Sequence, residues 1–214
     1  MGEIYMKIDW IFFDVGSTVV NESKAYEHRI KDIVNGTSIT YEQFYNKAIE
    51  YYKQNKKGDL EAVKFFNLKI TPWHTEDEYV YPEAKEVLRR LKKLYKIGII
   101  ANQSLGTAMR LEKMGLSKYI DLVISSAEEG VSKPDKKIFY IALERASCLP
   151  QNSVMIGDRL DNDIIPANSI GMKTIWIKQG FGALATPSIE AEMPDYSAES
   201  LEDICDIFYF RALC

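Results

Sequence analysis

The chain has 214 residues, of which 46% are hydrophobic and 27% are charged, and its formal net charge is -4. This composition fits a globular protein with one domain, or with one domain and a modest insert. A negative net charge gives no basis for nucleic-acid binding through a summed positive field. No apolar run approaches the roughly 18 residues that span a bilayer, and the N-terminal residues lack the apolar core of a signal peptide. We therefore expect a cytoplasmic protein with no membrane partner.

Side chains that commonly bind zinc are sparse and scattered. Cys148, Cys205 and Cys214 form no CxxC pair, which argues against both a disulfide framework and a zinc site. His28 and His74 are far apart in the sequence and far from any cysteine cluster. Because histidine chemistry needs a partner group in a defined place, we interpret both as surface or packing residues.

The first predicted strand ends in a carboxylate. Residues 10–13 are a run of bulky apolar side chains, which predicts a buried strand, and Asp14 follows at once. Residues 15–18, with the sequence Val-Gly-Ser-Thr, predict a sharp turn rich in free backbone N–H groups. Ligands of open α/β sheets bind outside the carboxyl ends of the strands. Asp14 is therefore a candidate nucleophile, metal ligand or both, with an ordinary turn residue as the alternative.

Residues 21–75 carry helical periods and no convincing buried strand. The spacing predicts helices over 24–33, 41–52 and 60–67, with Thr40 as the N-cap of the second and Gly58 as a break before the third. One face of the second helix carries a mostly aromatic stripe, which we interpret as helix packing: Tyr41, Phe44, Tyr45, Ala48, Ile49 and Tyr52. The segment predicts a small helical insert.

Helices and strands alternate from Pro82 onward. The pattern predicts strands over 97–101, 122–125, 154–157 and 174–177. Helices are predicted over 82–94, 107–114, 136–146, 163–169 and 201–210, and residues 186–194 are predicted to be a loop. Such alternation implies a parallel sheet with helices on both faces. The predicted fold class is therefore α/β, with a Rossmann-like sheet and an all-helical insert after the first strand.

Polar residues follow two of the later predicted strands. Asn102, Gln103 and Ser104 come directly after the strand over 97–101, and they are suited to hydrogen-bonding an anion. Lys133 precedes a proline that begins a helix, in the loop after the strand over 122–125. Because the carboxyl ends of parallel strands meet at one edge of a sheet, we expect these groups to lie close to Asp14.

Acidic residues cluster after the strand over 154–157. Asp158, Asp161 and Asp163 lie within six residues of one another. Carboxylates that converge with Asp14 are suited to a hard cation such as Mg²⁺, which prefers oxygen ligands and substrate phosphate. Such an ion, together with Lys133, would also keep neighbouring carboxylates ionised despite their mutual repulsion.

The order of these motifs resembles the haloacid dehalogenase superfamily, and the resemblance covers nearly the whole chain. It is carried by Phe13-Asp14-x-x-x-Thr18, a strand ending at Asn102, Lys133-Pro134-Asp135, and Gly157-Asp158-x-x-x-x-Asp163. The resemblance implies a Rossmann-like core domain at 1–20 and 80–214. It also implies a small helical cap domain of the first type at 21–79.

The resemblance further implies a magnesium-dependent phosphatase that acts on a small phosphorylated metabolite. Asp14 would attack phosphorus and form an aspartyl-phosphate, which water then hydrolyses. The implied magnesium ligands are Asp14, the backbone carbonyl of Gly16 and Asp158. Lys133 would neutralise the transferring group, and Asp163 would orient Lys133 or a metal-bound water.

The implied phosphate-binding groups surround the same turn. They are the backbone N–H groups of Val15, Gly16 and Ser17, together with Asn102, Gln103 and Lys133. Thr18 would support the turn from behind. We expect a monomer or homodimer.

Two positions depart from the family pattern. Gly16 stands where family phosphatases carry an aspartate that acts as general acid and base. If the missing acid limits the rate, Gly16→Asp should raise the turnover of esters with poor leaving groups. Ala101 stands where the family usually places a phosphate-binding serine or threonine; Gln103, Ser104 or Ser17 are candidates to replace it.

Several functions stay open at this point. A cap side chain or water could supply the proton to a phosphatase; phosphonatases of the family use a cap lysine for their own reaction. The candidate cap lysines are Lys24, Lys31, Lys47, Lys53, Lys56 and Lys57. A 2-haloacid dehalogenase needs no proton donor for its halide leaving group. The metal motif at 157–163 argues against this function, because dehalogenation uses no magnesium. A catalytically impaired binding or regulatory protein would account for the losses at Gly16 and Ala101.

Overall fold

The computed structural model describes residues 7–212, and the side chains of residues 7–208. Eight strands lie in this part of the chain. They are β1 Trp10–Phe13, β2 Val20–Asn21, β3 Tyr79–Val80, β4 Lys96–Ala101, β5 Leu122–Ser125, β6 Ser153–Gly157, β7 Lys173–Ile177 and β8 Tyr196–Ala198. Six form one sheet in the order β5-β4-β1-β6-β7-β8, and every neighbouring pair is parallel. The short strands β2 and β3 form a separate two-stranded antiparallel sheet.

Nine α-helices lie in the same part of the chain. They are α1 Ser23–Val34, α2 Tyr41–Tyr52, α3 Gly58–Phe65, α4 Ala84–Leu91, α5 Thr107–Lys113, α6 Ser126–Glu129, α7 Lys136–Ala146, α8 Ile165–Ser169 and α9 Leu201–Ala212. From α4 onward helices and parallel strands alternate, as the sequence predicts. Among the described residues, no helix combines the length and apolar character needed to cross a membrane.

The central strand β1 has a buried side chain on both faces of the sheet. Ile11 and Phe13 pack into one apolar cluster, whereas Phe12 packs into another. Successive side chains of a strand point to opposite faces, so both faces require a cover. Helices α4 and α9 contribute to the first cluster, and α7 to the second. The predicted α/β fold with a covered parallel sheet is confirmed.

Helices α1, α2 and α3 follow the first strand and form a third apolar cluster. Thr40 caps α2 as predicted: Gln43 N donates to Thr40 Oγ1 at 3.2 Å, and Thr40 N donates to Gln43 Oε1 at 2.8 Å. Gly58 does not break the chain before α3 but is its first residue. A Cβ at Gly58 would lie 2.2 Å from the Ala48 carbonyl oxygen, so glycine lets α3 begin against α2.

Three other differences from the prediction lie at element ends or sheet edges. Strand β8 and the pair β2 and β3 were not predicted, because two or three residues carry too little alternation to identify a strand. Leu94 lies beyond the end of α4 and is 62% exposed. The predicted helix over 163–169 begins as a π-helical turn at Leu160–Ile164 and becomes α-helical at α8.

Candidate active site

Three predicted carboxylates converge at the carboxyl edge of the sheet. Asp14 follows β1, and Asp158 follows the adjacent β6. Asp163 reaches the same place from the turn of π-helix after β6. Each offers a carboxylate oxygen, and these oxygens lie within 4.8 Å of one another. The parallel sheet thus brings together residues that are widely separated in the sequence.

Lys133 lies between two of these carboxylates. Its ammonium donates to Asp14 Oδ1 at 2.7 Å and to Asp163 Oδ1 at 2.5 Å. Burial lowers the pKa of this lysine, but the two carboxylates outweigh burial and hold its pKa at about 12. Lys133 is therefore a fixed positive charge at the edge of the sheet.

The pKa values of Asp158 and Asp163 are both raised by their surroundings. Burial, with the nearby Asp163 and Asp14 carboxylates, raises the pKa of Asp158 well above its usual range. Burial also raises the pKa of Asp163, although the contact with Lys133 opposes the rise. Three buried or half-buried carboxylates with one bound lysine form a site in which additional positive charge is stabilising.

The turn after β1 is buried and already partly hydrogen-bonded. Ser17 has a left-handed backbone, with φ of 53°, and its N–H donates to the Val20 carbonyl at 2.7 Å. Val15 and Thr18 are buried behind the turn. The Thr18 hydroxyl has no hydrogen-bond partner among the described residues. Of the three predicted N–H donors in this turn, that of Ser17 is thus engaged within the protein.

Asn102 and Gln103 have hydrogen-bond partners within the protein. The Asn102 side chain accepts from Lys133 N at 2.8 Å and donates to the Lys133 carbonyl at 2.9 Å. Gln103 Oε1 accepts from Arg110, and Gln103 N donates to Ser126 Oγ at 3.1 Å. Both residues line a small cavity of about 100 Å³ that also contains the three carboxylates, and the Asn102 amide holds the backbone of Lys133.

Glu22 is a site residue that the sequence analysis missed. A Cβ on Gly16 would lie 2.3 Å from Glu22 Oε1 and 2.6 Å from Oε2, so the Glu22 carboxyl fills the space next to Gly16. Ser17 Oγ donates to Glu22 Oε2 at 3.3 Å. Burial, then the charges of Asp14 and Glu78, raises the pKa of Glu22 to about 8. Glu22 belongs to no recognised motif, so only its position in the fold reveals it.

A cavity of about 430 Å³ adjoins the carboxylate cluster. Its walls come from α1, α2 and the loop after β7, and include Tyr26, Tyr41, Tyr45 and Phe181. Phe181 stacks on Tyr52 with ring centroids 4.5 Å apart. The aromatic stripe of α2 therefore divides, because Phe44, Ala48 and Tyr52 are buried while its other members line the cavity.

Comparison with known proteins agrees with this architecture. The sequence profile described as haloacid dehalogenase-like hydrolase matches residues 11–177. Glyceraldehyde 3-phosphate phosphatase of Pyrococcus furiosus is 31% identical, over 94% of this chain and 93% of its own. Pyrimidine 5'-nucleotidase of Escherichia coli is 30% identical, over 93% and 97%. The crystal structure of a HAD phosphatase from Thermococcus onnurineus is similar with a TM-score of 0.65 at 24% identity, covering 94% and 98% of the two chains. The chain belongs to the haloacid dehalogenase-like hydrolases and is an enzyme of that family.

Proposed function

We propose that the chain is a magnesium-dependent phosphatase that acts on a small phosphorylated metabolite through an aspartyl-phosphate. The observation that carries the proposal is the cluster of Asp14, Lys133, Asp158 and Asp163 at the edge of the sheet. The two relatives support the substrate class, because one is a phosphatase of glyceraldehyde 3-phosphate and the other is a nucleotidase.

Asp14 is the proposed nucleophile. Its backbone N–H donates to the Ile156 carbonyl at 2.9 Å, which anchors it between β1 and β6. Lys133 Nζ contacts Oδ1, so Oδ2 is the oxygen assigned to attack phosphorus. A covalent aspartyl-phosphate divides one difficult displacement into two easier ones. Lys133 stabilises the negative charge of the transferring group, since it already carries a fixed positive charge.

The donor set fits a magnesium ion. Three carboxylates share a site in which Lys133 offsets one negative charge, and Mg²⁺ is held by carboxylate oxygens and substrate phosphate. We assign Asp14, Asp158 and the backbone carbonyl of Gly16 as ligands. Asp163 positions Lys133, to which it is hydrogen-bonded at 2.5 Å. When bound, the ion would supply charge neutralisation for the phosphate oxygens.

The remaining groups are assigned to phosphate binding and to its support. Val15 and Gly16 would donate backbone N–H groups. The Ser17 N–H bonds Val20 and its hydroxyl bonds Glu22, so Ser17 would act by holding the turn beside the phosphate. Asn102 would act indirectly by fixing Lys133. Gln103 lines the small cavity of about 100 Å³ that contains the carboxylates, and we assign it to the phosphate oxygens. Thr18 would support the turn.

Residues 21–79 are the proposed cap domain, and 1–20 with 80–214 the proposed core domain. Support comes from the separate apolar cluster of α1, α2 and α3 and from the cavity between these helices and the turn after β1. A cavity of about 430 Å³ has room for a small metabolite. The cytoplasmic compartment and a monomeric or homodimeric state stay predictions from the sequence.

Hydrolysis of para-nitrophenyl phosphate and acetyl phosphate tests the proposal. With Mg²⁺ we expect release of phosphate that falls more than about 10³-fold in Asp14→Asn and is lost with a chelator. Asp206→Asn, an exposed aspartate on α9, is the matched control and should keep full activity.

Other outcomes would identify the competing functions. Absence of turnover on a broad panel of phosphates, with Mg²⁺ still bound, would contradict the phosphatase and favour a binding protein. Release of halide from 2-haloacids without metal would favour a dehalogenase. Turnover that survives Asp14→Asn would contradict the assigned nucleophile.

A further inference from the structure

The space beside Gly16 is filled by the carboxyl group of another residue. A side chain at position 16 would begin 2.3 Å from Glu22 Oε1, and the Glu22 Cδ would lie 2.5 Å from its Cβ. These distances are far below van der Waals contact, so a side chain on residue 16 and the Glu22 carboxyl compete for one volume. Glu22 thus presents a carboxyl group where an acidic residue at position 16 would have presented its own.

We infer that Glu22 is the catalytic residue that exchanges protons with the leaving group and with the attacking water. This inference rests on the proposed phosphatase function. It assigns to residue 22 the role that Gly16 has no side chain to perform.

The position of Glu22 relative to the two cavities supports this role. Glu22 lines the small cavity that contains Asp14, Lys133 and Asp158, where the phosphoryl group would bind. It also lines the larger cavity with Tyr26, where the rest of the substrate would lie. The bond that breaks joins these two parts of the substrate. A carboxyl group at the junction is therefore next to the leaving-group oxygen.

Local structure holds the carboxyl group in this position. Glu22 directly follows β2, and Asn21 of that strand pairs with Tyr79 of β3. Ser17 Oγ donates to Glu22 Oε2 at 3.3 Å. Helix α1 begins at the next residue, so the backbone is fixed on both sides. A proton-transfer group must be within hydrogen-bond reach of the reacting oxygen, and such anchoring keeps it there.

The proton balance closes over the two steps. An Asp14 carboxylate oxygen forms a bond to phosphorus while the bond to the leaving oxygen breaks, and that oxygen takes the proton of the Glu22 carboxylic acid. The Glu22 carboxylate then takes a proton from the water that attacks the aspartyl-phosphate. The bond between phosphorus and Asp14 breaks, which releases inorganic phosphate and regenerates both carboxyl groups.

Lys57 is the competing proton donor. Of the six candidate lysines it lines the small cavity with Asp14. Lys31, Lys47 and Lys56 instead contact Glu27, Glu50 and Gln54. The three atoms nearest to a Cβ at Gly16 all belong to Glu22, which favours Glu22 over Lys57.

A series of phosphate esters with increasingly basic leaving groups tests the inference. In Glu22→Gln we expect kcat for an alkyl phosphate to fall about 10² to 10⁴-fold. Formation of phosphoenzyme from acetyl phosphate, which needs no strong acid, should fall far less. The phosphoenzyme should then accumulate, as measured by intact mass after rapid quench. Glu42→Gln, an exposed glutamate on α2, should match the wild type.

The opposite result has a clear meaning. An equal loss on every ester, or no loss on any, would overturn the role of Glu22 while the wild-type activity keeps the phosphatase proposal intact. Lys57→Met with the selective loss expected of Glu22→Gln would transfer the role to the lysine. A wild type without any turnover would instead contradict the proposed function.

Moving the carboxyl group back to position 16 is an independent test. Glu22→Ala empties the volume beside Gly16. Addition of Gly16→Asp to that variant should raise its turnover of an alkyl phosphate at least about tenfold. Gly16→Asp alone should give no gain, because its side chain displaces the Glu22 carboxyl. A folded, Mg²⁺-binding double variant that is no faster than Glu22→Ala would overturn the inference.

Discussion

Lys133 is the residue on which the electrostatics of the site depend. Its ammonium is buried between Asp14 and Asp163, so its removal leaves two carboxylates without their charge partner. Removal of one partner from a buried ion pair typically costs about 3 to 5 kcal/mol. We expect Lys133→Met to lower the free energy of unfolding by about this amount in urea titrations with a chelator present.

Lys64 is the matched control for this prediction. It contacts Glu61 at 2.6 Å, but its side chain is 71% exposed. Lys64→Met should change the free energy of unfolding by less than about 1 kcal/mol. Equal effects of the two substitutions would contradict the view that Lys133 compensates buried charge.

Glu22 should make stability depend on pH. Its pKa rises from an ordinary 4.5 to about 8 in the folded protein, so the folded state binds more protons than the unfolded state between these values. The free energy of unfolding should therefore fall with rising pH across this window, by at most about 1.4 kcal/mol per pH unit. Glu22→Gln should lack this part of the slope. Urea titrations from pH 5 to 9 give the free energy of unfolding at each pH. The same dependence on pH in the wild type and in Glu22→Gln would refute the raised pKa of this carboxyl group.

The sequence predicts the four charged residues that converge at the edge of the sheet, but not all of their contacts. Asp14, Lys133, Asp158 and Asp163 are recognisable because each follows a strand in a motif. Glu22 is not, because its relation to Gly16 exists only after the chain turns through β2. The pairing of the Asn102 amide with the Lys133 backbone also needs coordinates, since a polar residue at a strand end has many possible partners.

A histidine pair joins α1 to the segment before β3. The rings of His28 and His74 stack with centroids 3.5 Å apart. In its protonated form His74 donates to Glu76 Oε1 at 3.0 Å and to Asp32 Oδ2 at 2.8 Å. These hydrogen bonds raise the pKa of His74 above its ordinary value of 6.5. The contact thus stabilises the fold most fully below that value and weakens as pH rises through the raised pKa.

A titration of the His74 ring by NMR checks this contact. We expect a midpoint above 6.5, and Glu76→Gln or Asp32→Asn should each lower it. Glu202→Gln, on the distant α9, should leave the midpoint unchanged. A midpoint at or below 6.5 in the wild type would show that the pair is not formed in solution.

Strands and helices are predicted correctly from the sequence where their apolar pattern is long. Strands β4, β5, β6 and β7 and helix α7 match the prediction closely, because strands of a parallel sheet covered on both faces are nearly continuous apolar runs. The edge strand β8 has three residues, and Ser197 in its centre is exposed. Such an edge carries a weak pattern, and its existence depends on pairing with β7.

Magnesium should act as a ligand that stabilises the folded protein. At a concentration of one hundred times its Kd, Mg²⁺ should raise the free energy of unfolding by about 2.7 kcal/mol. Asp158→Asn should abolish this gain yet stabilise the metal-free protein, because it removes a buried carboxylate that the others repel. Asp206→Asn should respond to Mg²⁺ like the wild type. An undiminished gain in Asp158→Asn would contradict the assigned ligand set.

Covalent labelling of the nucleophile tests the central claim most directly. The wild-type enzyme, mixed with Mg²⁺ and acetyl phosphate and quenched rapidly in acid, should gain the mass of one phosphoryl group. Peptide mapping should locate that group on Asp14, and Asp14→Asn should gain none. A phosphoryl group on another residue, or full turnover without any labelled enzyme, would contradict the role of Asp14 as the nucleophile that forms an aspartyl-phosphate.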